Sequence, residues 1–156
     1  MNLDIDKEAN AAFFEIIEKE HGDLMDRWND LNARILKIQI PKIFLFTIKS
    51  NLREIGQELK QLQNDYIAWN KKAGNFLGKP NYTFKESQNG LAVLTHYSSM
   101  LRHVVNSMHN NMILIANNYN KRWDQYKGQT NFVIAISSFL LTFLGLIAAL
   151  YTILLS

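Results

Sequence analysis

Apolar residues are densest at the C-terminal end of the chain. The stretch 132–155 reads FVIAISSFLLTFLGLIAALYTILL and contains no charged residue and no proline. As a helix with a rise of ~1.5 Å per residue it is about 36 Å long, whereas the hydrocarbon core of a bilayer is roughly 30 Å thick. The pattern therefore predicts one C-terminal transmembrane helix over 132–156, preceded by a hinge at 128–131.

Small and hydroxylated residues recur within this apolar stretch at alternating spacings of three and four. A 3.5-residue repeat places such residues along one side of a supercoiled helix. Membrane helices associate through small residues and hydroxyl groups, because lipid offers no hydrophobic force to bring them together. Five of these small and hydroxylated residues form what we call the small-residue seam: Ser138, Thr142, Gly145, Ala149 and Thr152.

Two interpretations of the seam remain open. It could pack two or three helices tightly, or pack against a partner protein. Alternatively, several copies could form a ring whose narrow lumen is lined by the seam, since hydroxyl-lined pores use the same residue types.

The preceding 127 residues show apolar positions at helical spacing and predict a cytoplasmic antiparallel four-helix bundle. The predicted helices span about 5–21, 23–40, 42–72 and 84–127, with a loop at 73–83 and no strand. Gly22 is expected to end the first helix, and Pro41 to break the second. The apolar patch around Pro41 (Ile40, Ile43, Phe44, Leu45 and Phe46) predicts a buried turn, or alternatively contact with the membrane or a neighbouring subunit.

The long fourth helix leads into the membrane helix, and its apolar stripe is out of phase with the seam. Gly128 is the residue at which this difference could be absorbed, so it is the predicted hinge.

Basic and aromatic residues precede the predicted membrane helix and indicate its orientation. Cytoplasmic flanks carry an excess of Lys and Arg, and Trp and Tyr favour the interface. The acidic, polar N-terminus does not resemble a signal peptide. We therefore expect a protein of the bacterial inner membrane whose N-terminal domain lies in the cytoplasm. The predicted interface residues are Lys121, Arg122, Trp123, Tyr126 and Lys127.

Charge is distributed unevenly along the chain. Residues 1–30 have nine acids and three bases, whereas residues 31–156 have five acids and fourteen bases. The acidic and basic helices could simply pack together. Alternatively, basic residues interleaved with aromatic ones could bind an anionic ligand, a nucleotide or oligonucleotide, by charge and stacking. The candidate contacts are Lys71, Lys72, Lys79, Lys85 and Arg102.

No sequence motif for catalysis or metal binding is present. The chain has no cysteine, and its histidines, His21, His96, His103 and His109, form no HExxH arrangement. No carboxylate lies between Glu86 and Asp124, the stretch that contains the last three of them. There is also no phosphate-binding loop and no nucleophile elbow. We therefore expect no enzyme activity, no metal and no cofactor. Asparagines are abundant between residues 89 and 120, and we expect them to form polar pairs between subunits.

Two functions from different classes follow from this plan. The first is a homo-oligomer of four or more copies that forms a pore or ion channel gated by the helical domain. The second is a tail-anchored adaptor or tether that presents its bundle to a protein partner.

The plan of a helical domain followed by one C-terminal anchor resembles that of SNARE proteins, but asparagine and histidine interrupt the heptads of the fourth helix. It also resembles small bacterial membrane effectors of antiphage defence, in which a soluble sensor controls a membrane-disrupting segment. The second resemblance implies a pore-forming function.

Overall fold

The computed structural model describes residues 4–5, 7–41, 45–78, 82–83 and 90–155. Within these residues the chain forms three helices and one very short antiparallel strand pair. In chain order the elements are β1 (Asp4–Ile5), α1 (Lys7–Lys37), α2 (Phe46–Gly78), β2 (Tyr82–Thr83) and α3 (Gly90–Leu155). The all-helical prediction is confirmed, but the predicted number of helices is wrong: the described bundle has three helices, not four.

The first two predicted helices are one helix, because α1 continues through Gly22. A glycine inside a helix costs only about 1 kcal/mol relative to alanine. The apolar stripe is not interrupted there: Ile17, Leu24 and Leu31, seven residues apart, are all at most 5% exposed. Burial of this stripe outweighs the low helix propensity of glycine. α1 then ends at Lys37, three residues before the predicted end.

The predicted loop at 73–83 is also largely wrong. α2 continues to Gly78, because Ala73 and Phe76 extend its buried stripe and are 0% and 5% exposed. The Phe76 ring stacks on Phe13 of α1 with a centroid distance of 5.2 Å. Packing against α1 therefore keeps a glycine-containing segment helical.

A strand pair that the sequence did not predict lies between the N-terminus and the α2–α3 connection. Asp4 pairs with Thr83, and Ile5 pairs with Tyr82. Ile5, predicted to begin the first helix, therefore belongs to a strand. The predicted start of the fourth helix, at 84, lies outside the described residues, and α3 is described from Gly90.

The core lies along the common axis of the three helices. α1 and α3 run in the same direction, because Phe14 stacks on Tyr97 and, further along both helices, the Trp28 indole donates a 2.7 Å hydrogen bond to the Asn111 carbonyl. α2 runs in the opposite direction, and the Trp69 indole donates to the Ile17 carbonyl at 3.0 Å. The strand pair therefore lies at one end of the bundle, and the α1–α2 connection lies at the other.

The C-terminal half of α3 extends beyond α1 and α2. It has large apolar side chains in solvent, such as Phe139 at 69% and Leu141 at 71% exposed. Its most apolar 18-residue window has a mean hydropathy of 2.5 and is 0% buried. Among the described helices, α3 is the one long and apolar enough to cross a membrane.

Candidate membrane-embedded seam and the bundle that carries it

The small-residue seam lies on a single unbroken helix. α3 is helical from Gly90 to Leu155, so the structure has no break at Gly128 or within 128–131. The Thr130 hydroxyl donates a 2.9 Å hydrogen bond to the Tyr126 carbonyl across this segment. The backbone is helical without interruption on both sides of Gly128. Bending at this predicted hinge therefore stays a prediction.

Continuity of α3 determines where the seam points relative to the bundle. Each residue of an α-helix turns the chain by about 100°. Counted from the buried Ile115, the other buried residues Met108, Leu101 and Met112 lie between about 20° and 60° around the axis, and the five seam residues lie between about 100° and 180°. The seam therefore lies beside the buried stripe of α3, turned by about 40° or more from each of these buried residues. The phase difference in the sequence is a change of face along one helix.

The two threonines of the seam bond to their own helix. The Thr142 hydroxyl donates to the Ser138 carbonyl at 2.9 Å, and the Thr152 hydroxyl donates to the Ala148 carbonyl at 2.6 Å. Such bonds satisfy the hydroxyl donors without a partner molecule, so the residues can be accommodated in lipid. Their oxygens retain lone pairs that a neighbouring helix, an ion or water could use.

The five predicted interface residues lie on α3 near the end of the bundle that faces the candidate span, but they have different roles. Arg122 binds α1: its Nη2 donates to the Leu36 carbonyl at 2.9 Å and its Nε donates to the Ile35 carbonyl at 3.3 Å. These carbonyls belong to the last turn of α1, where a cation also opposes the negative end of the helix dipole. Arg122 is thus a helix cap.

The other interface residues are more accessible than Arg122. Trp123 is half-buried between Tyr119 and Tyr126, at ring-centroid distances of 6.3 and 5.6 Å. Lys121 and Lys127 are exposed, and Lys127 lies 3.9 Å from the Asp124 carboxylate. The aromatic cluster and the two lysines match what a membrane–water interface favours.

The predicted anionic-ligand residues do not form one described site. Lys79 and Lys85 lie outside the described residues. Lys72 pairs with Glu20 of α1 at 2.5 Å, so its charge is already partly neutralised. Lys71 and Arg102 are exposed on α2 and α3. Among the described residues, no group of three or more His, Asp and Glu side chains is placed to hold a metal ion.

The asparagines of α3 divide into two sets. Asn118 donates a 3.0 Å hydrogen bond to Asn32 of α1, and the Asn111 amide contacts the Met25 sulfur at 3.5 Å. These two residues join helices within one chain. Asn106, Asn110, Asn117 and Asn120 are exposed, and pairing between subunits stays a prediction for them.

The sequence did not predict the contacts that hold α2 against its neighbours. The Arg34 guanidinium donates two hydrogen bonds, at 2.6 and 2.7 Å, to the Glu58 carboxylate, and Arg27 binds Asp65 at 2.7 Å. The bonds from Arg34 hold the pKa of the Glu58 carboxyl below its ordinary value. The opposite charges on the two helices could have suggested pairing, but not the partners.

The sequence also did not reveal the close approach of Gly56 on α2 to Tyr119 on α3. A Cβ atom there would lie 2.4 Å from the Tyr119 hydroxyl, which donates a 3.1 Å hydrogen bond to the Leu52 carbonyl. α2 and α3 therefore approach closely only because residue 56 lacks a side chain. A glycine in the middle of an otherwise regular apolar stripe was the available signal.

Comparison with known proteins identifies no relative. The chain matches no protein-family model, and neither the curated proteins nor the solved structures include a significant match. The class that the fold defines is therefore coarse: a three-helix bundle whose last helix continues as a candidate membrane span.

Proposed function

We propose that this protein is a single-pass membrane protein whose copies assemble through the small-residue seam into an ion-conducting pore gated by the bundle. The observation that supports the proposal is the position of the seam on α3. Because the seam lies outside the buried stripe of α3, four or more copies can bring their seams to a common axis. Each copy keeps its own bundle outside that axis.

The charges near the span support a cytoplasmic bundle. Lys121 and Lys127 are exposed on the side of the span that carries the bundle, as the positive-inside rule requires. The proposed location is a bacterial inner membrane, and the resemblance in plan to antiphage effectors extends the proposal to defence. The proposal assigns the chain no catalytic activity and no cofactor.

The seam can be tested by adding bulk to it. In the Thr142→Leu/Gly145→Leu variant, larger side chains would separate the helices and fill the lumen. We expect the native mass in detergent to fall from four or more copies to fewer, and ion flux in vesicles to be lost. The matched control is Leu141→Phe/Leu144→Phe, which adds bulk on other faces of the same turns and should change neither quantity.

A monomeric or dimeric wild-type protein would contradict the pore, because two helices cannot enclose a lumen. Equal effects of the seam and control variants would show that bulk anywhere in the span disturbs assembly, and would remove the seam from the proposal.

The second candidate function is a tail-anchored adaptor. It is favoured by apolar side chains in solvent on the bundle itself, since Ile67 is 62% exposed and Ile113 and Leu114 are each 47% exposed. Such residues can mark a surface for a protein partner. Replacing 132–155 by a generic Leu/Ala anchor separates the two functions. The adaptor would keep its cellular activity after this replacement, whereas the pore would lose both ion flux and activity.

A further inference from the structure

The α1–α2 connection forms a corner at the end of the bundle that faces the candidate span. We propose that this corner, described at residues 38–41 and 45, is a second membrane contact: its apolar side chains enter the headgroup layer of the bilayer that α3 crosses. The inference rests on the proposed insertion of α3, and the experiment below distinguishes the failure of one from the failure of the other.

Contacts between α1 and α3 place the start of the corner along the axis of α3. Arg122 donates hydrogen bonds to the carbonyls of Ile35 and Leu36, so the last turn of α1 lies level with Arg122. α1 and α3 run in the same direction, and α1 ends one residue later, at Lys37. The chain therefore enters the corner close to the level of Arg122 and Trp123.

Contacts between α2 and α3 place the other end of the corner. The Tyr119 hydroxyl binds the Leu52 carbonyl, so these residues lie at a similar level. α2 runs antiparallel to α3 and begins at Phe46, six residues before Leu52. Its first residue therefore lies near the level of Gln125 and Tyr126, about 10 Å before Phe132 at 1.5 Å per residue.

These levels bring the corner to the bilayer surface if the hydrocarbon core begins at Phe132. The headgroup layer on each side of that core is roughly 5–8 Å thick. The corner connects the end of α1, about 14 Å from the core boundary, with the start of α2, about 10 Å from it. Its side chains are thus within reach of the headgroup layer.

The chemistry of the corner fits this layer. Ile40 and Leu45 are only half-buried and Pro41 is exposed, so the prediction of a buried turn is wrong for the described part of the patch. Ile38, just before it, packs against the core. Leu36, one turn earlier, is 51% exposed. Ile43 and Phe44 lie outside the described residues. Insertion of the corner into the headgroup layer would remove its exposed apolar side chains from water.

Charge favours the same orientation of the bundle. Exposed lysines lie at the corner end, at Lys37, Lys49, Lys121 and Lys127, together with Asp124. Exposed acids, including Glu15 and Glu18, lie in the first half of α1, toward the opposite end. An anionic membrane surface attracts the first group and leaves the second group beyond the screening distance.

The absence of cysteine from the chain makes the inference directly testable. Three single-cysteine variants of the full chain, each labelled with the fluorophore NBD, report the depth of three positions. Gln39→Cys tests the corner, and Leu141→Cys tests the span. Gln57→Cys is the matched control, an exposed glutamine on α2 about 16 Å further along that helix than Phe46.

The labelled proteins are reconstituted in vesicles of phosphatidylcholine and phosphatidylglycerol that contain lipids spin-labelled at a shallow position, in the headgroup, or at a deep position, in the acyl chain. We expect shallow lipids to quench the probe at 39, deep lipids to quench the probe at 141, and neither to quench the probe at 57. Adding Ile40→Ser and Leu45→Ser to the Gln39→Cys protein should abolish the shallow quenching, with tryptophan fluorescence reporting that the bundle is still folded.

Each other result overturns a specific statement. Quenching at 141 without quenching at 39 rejects the corner contact and leaves the span. Absence of quenching at 141 rejects membrane insertion, and with it both proposals. Quenching at 39 that survives both serine substitutions rejects the apolar residues as its cause.

Discussion

The two halves of α3 have the same helical backbone but opposite relations to their surroundings. In the bundle half, Leu101, Met108 and Ile115 are at most 1% exposed and contact α1 and α2. In the span half, Phe139, Leu141 and Ile153 are 69% to 71% exposed. The bundle half therefore finds its apolar partners within the chain, whereas the span half finds none among the described residues.

The two halves therefore differ in which faces of the helix the chain covers, not in helicity. The bundle half uses one face for its own core and leaves its histidines exposed. In the span half the seam and the Phe, Leu and Ile side chains are all exposed. The comparison can be tested by making similar changes in the two halves.

The largest expected effect comes from truncating a leucine in each half. Leu101→Ala should lower the free energy of unfolding of the bundle by about 2–5 kcal/mol, because it leaves a cavity among buried side chains. Leu141→Ala should not change it, since Leu141 contacts no part of the bundle core. Two of the three tryptophans, Trp28 and Trp69, are buried in the bundle core, so tryptophan fluorescence during urea unfolding in detergent reports mainly on the bundle. A similar loss in both variants would mean that the two halves unfold as one unit.

The next effect distinguishes two glycines of the bundle by what surrounds them. Gly56→Ala places a methyl group 2.4 Å from the Tyr119 hydroxyl, and such overpacking costs about 1–3 kcal/mol. Gly22→Ala meets no atom within 4 Å and should stabilise the bundle by up to about 1 kcal/mol through helix propensity. Urea unfolding followed by tryptophan fluorescence measures both changes.

The cause of the Gly56 effect can be isolated with a second substitution. Tyr119→Phe removes the hydroxyl that the new methyl group would meet, so Gly56→Ala should be less destabilising in that background. An equal cost in both backgrounds would show that the close approach of α2 and α3 is not the cause.

The smallest effect concerns pH and belongs to the bundle alone. Burial lowers the pKa of His21 below its ordinary value of 6.5, and its ring lies 5.7 Å from that of Trp69. The unfolded chain therefore binds this proton at a higher pH than the folded chain does. The contribution of neutral His21 to the free energy of unfolding is therefore fully present above pH 6.5, and it is lost as the pH falls through the lower pKa of the folded state. In thermal unfolding, the melting temperature should therefore fall less between pH 7.5 and pH 5.5 for His21→Gln than for wild type.

A His21→Gln protein with the same pH dependence as wild type would assign that dependence to other groups. The span half offers none of them, since 132–155 contains no Asp, Glu, His, Lys or Arg.

The sequence predicted the core positions well where a stripe was regular. Leu24, Trp28, Leu31 and Ile35 recur at spacings of four and three, which places them on one face of a helix, and they are all at most 9% exposed. The pattern failed where local signals and packing disagreed. Gly22 and the glycine-containing segment after Asn70 have low helix propensity, yet both are helical because neighbouring apolar residues gain burial against another helix.

For the candidate site, the sequence was sufficient to define the seam but not its orientation. Periodicity alone places Ser138 and Thr142 on one face of a helix. Which direction that face points depends on whether α3 is continuous through Gly128 and on which side of it packs against α1 and α2. The role of Arg122 was also hidden, because its partners are backbone carbonyls of Ile35 and Leu36, more than 80 residues earlier.

By itself, the sequence determined that the chain is helical, that its core residues follow helical stripes, and that one segment is long and apolar enough to cross a bilayer. These properties depend on composition and on spacing over a few turns. Only the tertiary structure decided that the described residues form three helices, that Gly56 makes room for Tyr119, and that the seam lies beside the buried stripe of α3. Those properties depend on contacts between residues far apart in the chain, for which local periodicity carries no information.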